Sequence, residues 1–400
     1  MGNWKTVTLG EITSFMAKGI PPKYVEHESN DTIRVLNQKC NRNYRISYSE
    51  SRLHNNAVKK APDAKMLRPG DVLINSTGAG TAGRVAQIWD IPTATTIDGH
   101  MILLRPTDEV DPLYYGYAVK GNQALIESYA EGSTGQTEIN KDRLKSETII
   151  SFPEDKDQQR SIARTLAALD EKVEENERIN KNLEAQAQAY FIDQFVVNAD
   201  PTWPQGTLSD LGTVVGGGTP SKKHPEYYCE HGIPWITPKD LSVDKSKFIS
   251  HGENDISDLG FSNISATKMP EGTILFSSRA PIGYIAIASN TVTTNQGFKS
   301  VIPNTNVGTA FVYYFLKRAL PTIEGMASGS TFKEISGSGM KSVHAVIPDN
   351  ETLHKFSEFC KPLFKQQAVL EAENRRLSGI RDALLPKLMS GEIDVSNIDL

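Results

Sequence analysis

The stretch NQKCNRNYR, residues 37–45, crowds Asn37, Gln38, Lys39, Asn41, Arg42, Asn43 and Arg45 around Tyr44. Side-chain amides and guanidinium groups are the donors that match base edges in pairs, Asn or Gln on adenine and Arg or Lys on guanine. A second stretch, ITPKD (236–240), offers Thr237, Lys239 and Asp240. Two apolar runs end in polar tips: DVLINST in Asn75, Ser76 and Thr77, and TILFSSR in Ser277, Ser278 and Arg279. Two near-identical phrases, GSTGQTEI (132–139) and GSTFKEI (329–335), set Ser133, Thr134 and Gln136, and Ser330, Thr331 and Lys333, beside backbone amides. Hydroxyls and amides of that kind suit phosphate oxygens. The turns GIPPK (19–23) and GGTPSKK (217–223) add Lys23, and Thr219, Ser221, Lys222 and Lys223.

Other chemistries lack their residues. Cys40, Cys229 and Cys360 are far apart with no CxxC, and the histidines form no HExxH, so neither a zinc site nor a disulfide framework is expected. GAGTAG (78–83) fits a dinucleotide-binding pattern, with Asp98 downstream. The following RVAQIWDIPTATT leaves no room for the crossover helix that pattern needs, so a hairpin turn is expected. ISGSGMKS (335–342) misses the Gly-Lys-Ser/Thr of a phosphate-binding loop, and no Asp/Asn-Pro-Pro-aromatic methyltransferase motif occurs. No catalytic residue and no metal ligand is expected, so the chain reads as a non-enzyme.

The polar tips come in pairs because the chain repeats. LRPGDVLINS (67–76) answers MPEGTILFSS (269–278), Gly83-Arg84-Val85-Ala86 answers Gly283-Tyr284-Ile285-Ala286, and IRVLNQK (33–39) answers IPWITPK (233–239). TIISFP (148–153) and VHAVIP (343–348) close the two copies. Order is kept throughout, and a repeat this long is a duplicated domain rather than a solenoid. Within each half the signals are mostly short strands bounded by Gly and Pro turns, with helical stretches at 112–128 and 309–320. The expected fold class is α+β: two duplicated domains, each a mixed sheet or partial β-barrel with short helices.

After each half the pattern changes. Residues 157–195 contain no Gly or Pro, and Ile162, Leu166, Leu169, Val173, Asn176, Asn180 and Leu183 recur at alternating steps of four and three. That spacing is a coiled-coil seam. The C-terminal segment repeats it through Leu363, Leu370, Asn374 and Leu377. Two such helices at matching places are expected to pair antiparallel, related by a pseudo-twofold axis. Asn180 and Asn374 are repeat equivalents, and a dyad is expected to bring them together. Pro362 is expected to kink or restart the second helix, since an interior Pro costs about 3 kcal/mol. The expected divisions are 1–153, 154–200, 201–348 and 349–400.

The net charge of −5 argues against a nucleic-acid partner, but the acid is unevenly spread. Residues 1–60 hold ten Lys or Arg against five acids, whereas 154–193 hold six against ten, so basic local surfaces remain. No apolar run is long enough for a membrane span, and no signal-peptide core opens the sequence; a cytoplasmic protein is expected.

This layout resembles the DNA specificity subunit of type I restriction–modification systems. The resemblance covers the whole chain and rests on the helical blocks ALDEKVEENERINKNLEAQAQAYF (168–191) and LLPKLMSGEIDV (384–395), with the GTPS and GST phrases in support. It implies two target-recognition domains, each reading half of a bipartite double-stranded DNA site. It implies spacer helices that dock two modification subunits, which use S-adenosylmethionine to methylate adenine. Restriction subunits using ATP and Mg would join that core. ETLHKFSEFCK lacks the Gln-Gln-Arg of DQQRSIA (157–163), so the second docking surface departs from the first. A helix of about forty residues is roughly 60 Å long, on the scale of major grooves recurring every 34–36 Å or so. The alternative is a coiled-coil protein scaffold without sequence-specific DNA binding.

Overall fold

The computed structural model describes residues 3–132, 137–329 and 333–395. Two compact units emerge: Met1–Lys172 with Arg376–Leu400, and Val173–Arg375. Two long helices, Lys156–Ile192 and Asn350–Met389, run uninterrupted through the residues at which the units divide. The second helix therefore continues through Pro362 rather than restarting there.

In the first unit, a four-stranded antiparallel sheet orders Thr13–Lys18, Met101–Pro106, Val72–Asn75 and Val85–Gln87. A second sheet orders Thr95–Ile97, Thr32–Leu36, Arg52–Asn55 and Tyr24–Val25, its first pair parallel. Trp4–Thr8 pairs with Ile149–Pro153 and closes the domain onto its own end. The second unit repeats the plan. Its larger sheet orders Gly212–Gly216, Lys299–Pro303, Ile274–Ser278, Ile282–Ala288 and Phe248–Ile249, and Gln205–Thr207 pairs with His344–Val346. The mixed sheets are as expected, but they are open: no closed barrel forms among the described residues.

GAGTAG is the turn of the hairpin Val72–Asn75 to Val85–Gln87. Gly83 shows why this phrase recurs. Its φ is +88°, and a Cβ there would lie 2.7 Å from the Glu127 Cα. Its counterpart Gly283 has φ +94°, and a Cβ there would meet the Leu320 side chain rather than backbone. Both turns need a residue that tolerates the left-handed region and lacks a side chain.

Each sheet packs against a helix that starts where sequence chemistry directs. Asp111 caps Pro112–Gly121 by accepting from the Leu113 and Tyr114 amides at 3.0 and 3.2 Å, the usual role of Asp before a Pro at the first helical position. The stretch 112–128 is two helices, broken at Asn122, and the second-half helix reaches from Thr309 to Met326. Tyr117 and Lys120 share one face of the first, at i and i+3, and Tyr314 and Lys317 are their repeat equivalents.

Those pairs latch each domain to the first long helix. In the first unit, the Asp170 carboxylate accepts from the Tyr117 hydroxyl (2.8 Å), Lys120 Nζ (3.3 Å) and Arg381 (2.5 Å). In the second, Glu184 accepts from the Tyr314 hydroxyl (2.9 Å), Lys317 Nζ (2.6 Å) and Lys247 Nζ (2.7 Å). Lys247 is 7% exposed and lies 3.6 Å from the Phe364 ring centroid and 4.5 Å from that of Tyr313. Burial lowers it to about 8 in spite of Glu184, while the two lysines outweigh burial at Glu184 and draw it down to about 2.

Within the second unit the helices run antiparallel. Asn374 donates to the Val173 carbonyl at 3.4 Å and Gln367 to that of Asn180 at 3.2 Å. The partner of Asn374 is Asn176, whose Nδ2 donates to Asn374 Oδ1 at 2.9 Å and to Glu373 at 2.8 Å. Asn180 is one turn out of place for the expected pair; its carbonyl accepts instead from Gln367. Ile162, Leu166, Val173 and Leu370 are buried, and Leu169, Leu183, Leu363 and Leu377 are half-buried.

Candidate nucleic-acid interface

Each domain stitches the same three pieces together. The backbone N–H of Ile139 donates to the Ser76 carbonyl at 2.8 Å, and that of Ile335 to the Ser278 carbonyl at 3.1 Å. Thr77 bridges Glu138 antiparallel, and Arg279 bridges Glu334 in the same way. The base of each GST phrase is thereby held to the tip of its hairpin. Ser133, Thr134, Gln136, Ser330 and Thr331 themselves lie outside the described residues.

In the first unit, the tip gathers a polar cluster. Thr77 Oγ1 donates to Gln38 Oε1 at 3.2 Å and lies 2.8 Å from His100 Nδ1. Lys18 forms an ion pair with Glu138. In the same unit Lys23, Lys39, Arg42 and Asn43 are exposed. Asn43 and Tyr44 have φ of 53° and 60°. They form the two-residue turn between Asn41–Arg42 and Arg45–Ile46, a turn geometry that favours Asn.

In the second unit, Glu334 organises the tip. It accepts from Arg279 at 3.2 Å, Ser278 Oγ at 3.3 Å and Lys299 Nζ at 3.5 Å. Thr219 donates to Gln296 alongside. Ser221, Lys222, Lys223 and Lys333 are exposed. Lys239 is exposed and pairs with Glu253 at 2.5 Å.

Several expected base readers are withdrawn into the fold. Asn41, Asn75, Ser76, Ser277 and Ser278 are all at most 1% exposed. Asn41 donates to the Arg84 carbonyl at 2.8 Å and Asn75 to the Gln38 carbonyl at 3.1 Å. Ser277 accepts from the Tyr284 amide at 2.8 Å and donates to the Pro281 carbonyl at 2.8 Å. Such bonds tie these side chains to backbone groups at the hairpin turns rather than leaving them free to reach a ligand. Asn37 accepts from the Lys39 amide and donates to the Glu50 carbonyl, shaping its own turn. Thr237 and Asp240 are the two ends of a capping box on Pro238–Val243. Tyr44 does not face outward with the donors: its ring lies 5.6 Å from Tyr117 and under Lys120. Arg45 beside it reaches the Asp170 carbonyl at 3.4 Å.

Sequence reasoning missed Lys18, His100, Glu138, Gln296, Lys299 and Glu334. The signal for the two acids was present, since each GST phrase ends in Glu-Ile. Among the described residues no group of His, Cys, Asp and Glu is placed to hold a metal ion, and no helix is long and apolar enough to cross a membrane.

Comparison with known proteins bears on this arrangement. Residues 1–185 and 201–378 both match the family described as type I restriction modification DNA specificity domain. The specificity subunit of type I restriction enzyme MjaIX from Methanocaldococcus jannaschii is 40% identical over 178 residues, 42% of this chain and 41% of that one. The HindI specificity subunit from Haemophilus influenzae is 24% identical over 478 aligned positions, 98% of this chain and all of that one. Among solved structures, the type I restriction–modification S subunit from M. genitalium shares the fold, with TM-score 0.59 and 18% identity over 97% of this chain and 96% of its own.

Proposed function

The chain belongs to the type I restriction modification DNA specificity family, and from that premise we propose that its two units read the two halves of one bipartite double-stranded DNA target. Sequence-specific DNA recognition is the family's role, and this chain carries its domain twice. One observation carries the assignment to the tips. The same backbone stitch, Ile139 to Ser76 and Ile335 to Ser278, is built twice with different side chains on it. A constant frame with variable donors is what two half-sites of different sequence require.

In this proposal the chain itself does no bond chemistry. Two modification subunits bind it and methylate adenine with S-adenosylmethionine. Restriction subunits, using ATP and Mg, join that assembly in the cytoplasm. The long helices supply the docking surface and the fixed spacing between half-sites.

A domain exchange tests the modular part. Replacing residues 1–153 by the matching domain of a relative, and expressing the chimera with its modification subunits, is expected to change one half of the motif methylated in cells. The exchanged domain must carry its own Tyr and Lys at the places of Tyr117 and Lys120, because Asp170 stays with the host helix. Sequencing of methylated genomic DNA reads the result. A change in both halves would contradict independent reading. Methylation or binding without any sequence preference would favour a protein scaffold instead.

A further inference from the structure

Glu138 and Glu334 sit where an acid is least expected on a surface that approaches phosphates. Each closes a GST phrase, each bridges a hairpin tip through its backbone, and each holds at least one cation. Glu138 holds Lys18, on the strand Thr13–Lys18. Glu334 holds both Arg279 and Lys299. The cations come from different places in the two units, Lys18 from a strand, Arg279 from the hairpin tip and Lys299 from another strand, so the carboxylate is the common part and its partners are not.

Stability does not explain the acids. Glu334 is 35% exposed and Arg279 37%, and ion pairs this open add little to folding. Holding a long side chain in one geometry also costs rotamer freedom. Preorganisation does explain them. An arginine fixed by a carboxylate presents its remaining donors in a fixed fork, which is the geometry that base reading needs. A lysine neutralised by the same carboxylate contributes less to sequence-independent attraction to phosphates.

We infer that Glu138 and Glu334 are positioning residues for DNA specificity: each orders the cations of its own recognition tip for base reading and restrains them from binding phosphates indiscriminately. The inference rests on the reading of the units as DNA-recognition domains.

The test uses the full chain assembled with its modification subunits. The motif methylated in cells by the wild-type complex supplies one duplex, its single-base variants supply a second set, and a duplex lacking the motif supplies the non-specific probe. E334Q is expected to lower discrimination at a position of the second half-site by about 10-fold. It is also expected to tighten binding to the non-specific duplex at low salt, with a salt slope steeper by about one. The first half-site should be read as before. E138Q should show the mirror result, confined to the first half-site. Arg279→Ala should lose discrimination at the same position as E334Q, without the steeper slope. A role in folding alone would weaken binding to every duplex and leave the salt slope unchanged, and that result would overturn the inference. So would discrimination equal to wild type. If E334Q melts early, E334D, which keeps the charge on a shorter arm, is read in its place. It should lose discrimination while keeping the wild-type slope, and retained discrimination would count against the inference. A wild-type complex that prefers no duplex at all would instead remove the underlying reading of function.

Discussion

Glu184→Leu is expected to destabilise the second unit by about 3–5 kcal/mol, the range for removing one partner of a buried ion pair. Lys247 is 7% exposed, and its remaining acceptors would be the neutral Tyr314 hydroxyl at 3.2 Å and Gln367 Oε1 at 3.0 Å. Lys247→Met is expected to cost far less, or even to stabilise. Glu184 would keep Lys317 at 2.6 Å and Tyr314 at 2.9 Å. A methionine would fill the slot beside Phe364 and Tyr313 without a charge to desolvate. The asymmetry follows from the opposite balance of burial and attraction at the two groups. Burial lowers Lys247 to about 8 despite its partner, so desolvation exceeds attraction at the lysine. Glu184 is drawn from 4.5 to about 2 against its own burial, a gain of roughly 3 kcal/mol. Because the folded value is depressed, that gain is complete above about 4.5 and disappears as pH falls toward about 2. Denaturant unfolding of both variants at neutral pH, and of wild type down to acid pH, measures this. Equal losses from the two substitutions would refute the assignment of Glu184 as the hub.

The latch could not be read from the sequence, and the reason is physical. Lys247 stands in DKSK, a stretch that reads as a solvated loop, and it is the packing of Phe364, Tyr313 and Tyr314 around it that takes it out of water. Asn75 and Ser277 look like base readers by type and place, yet short polar side chains at hairpin turns also bond nearby backbone, and here they do. The duplication was legible because its matched phrases mark backbone constraints, as at Gly83 and Gly283, which both take the positive φ that favours glycine. The helices were legible because a seam is a periodicity. Their register was not, since repeat equivalence pointed to Asn180 whereas Asn374 meets Asn176. The acids Glu138 and Glu334 lay inside the repeated phrase, but an acid is a poor phosphate ligand, so donor chemistry passed over them.

The largest effect is expected from a cut far from the domain it harms. Truncation after Arg375 should unfold the first unit, because residues 376–395 complete it. Leu385, Leu388 and Val395 are buried in the same core as Ile162, Ala163 and Leu166, and each buried side chain of this size contributes about 1.5–3 kcal/mol. Arg381 leaves Asp170 as well. Together these losses reach the total stability of an ordinary domain, about 5–15 kcal/mol. A fragment of residues 1–200 lacks the same segment and should fold only by borrowing a substitute. The nearest substitute is the second half of the long helix from another copy, since Phe191 is the repeat equivalent of Leu385, Asn180 of Asn374 and Ala187 of Arg381. A twofold pair would then match each Asn176 with the other copy's Asn180, a tolerated polar contact in a seam. Asp170 would keep Lys120 and Tyr117 but face an alanine in place of the guanidinium. The fragment is therefore expected to dimerise, to melt at a temperature that rises with its concentration, and, with modification subunits, to direct methylation to a palindrome of the first half-site. Ala187→Arg in the fragment should return the missing cation to Asp170 and tighten the dimer. Solution mass and melting against concentration decide it: a fragment that is folded and monomeric would show that the C-terminal segment is dispensable to the first unit, and a dimer that Ala187→Arg does not stabilise would show that the borrowed helix does not bring residue 187 to Asp170.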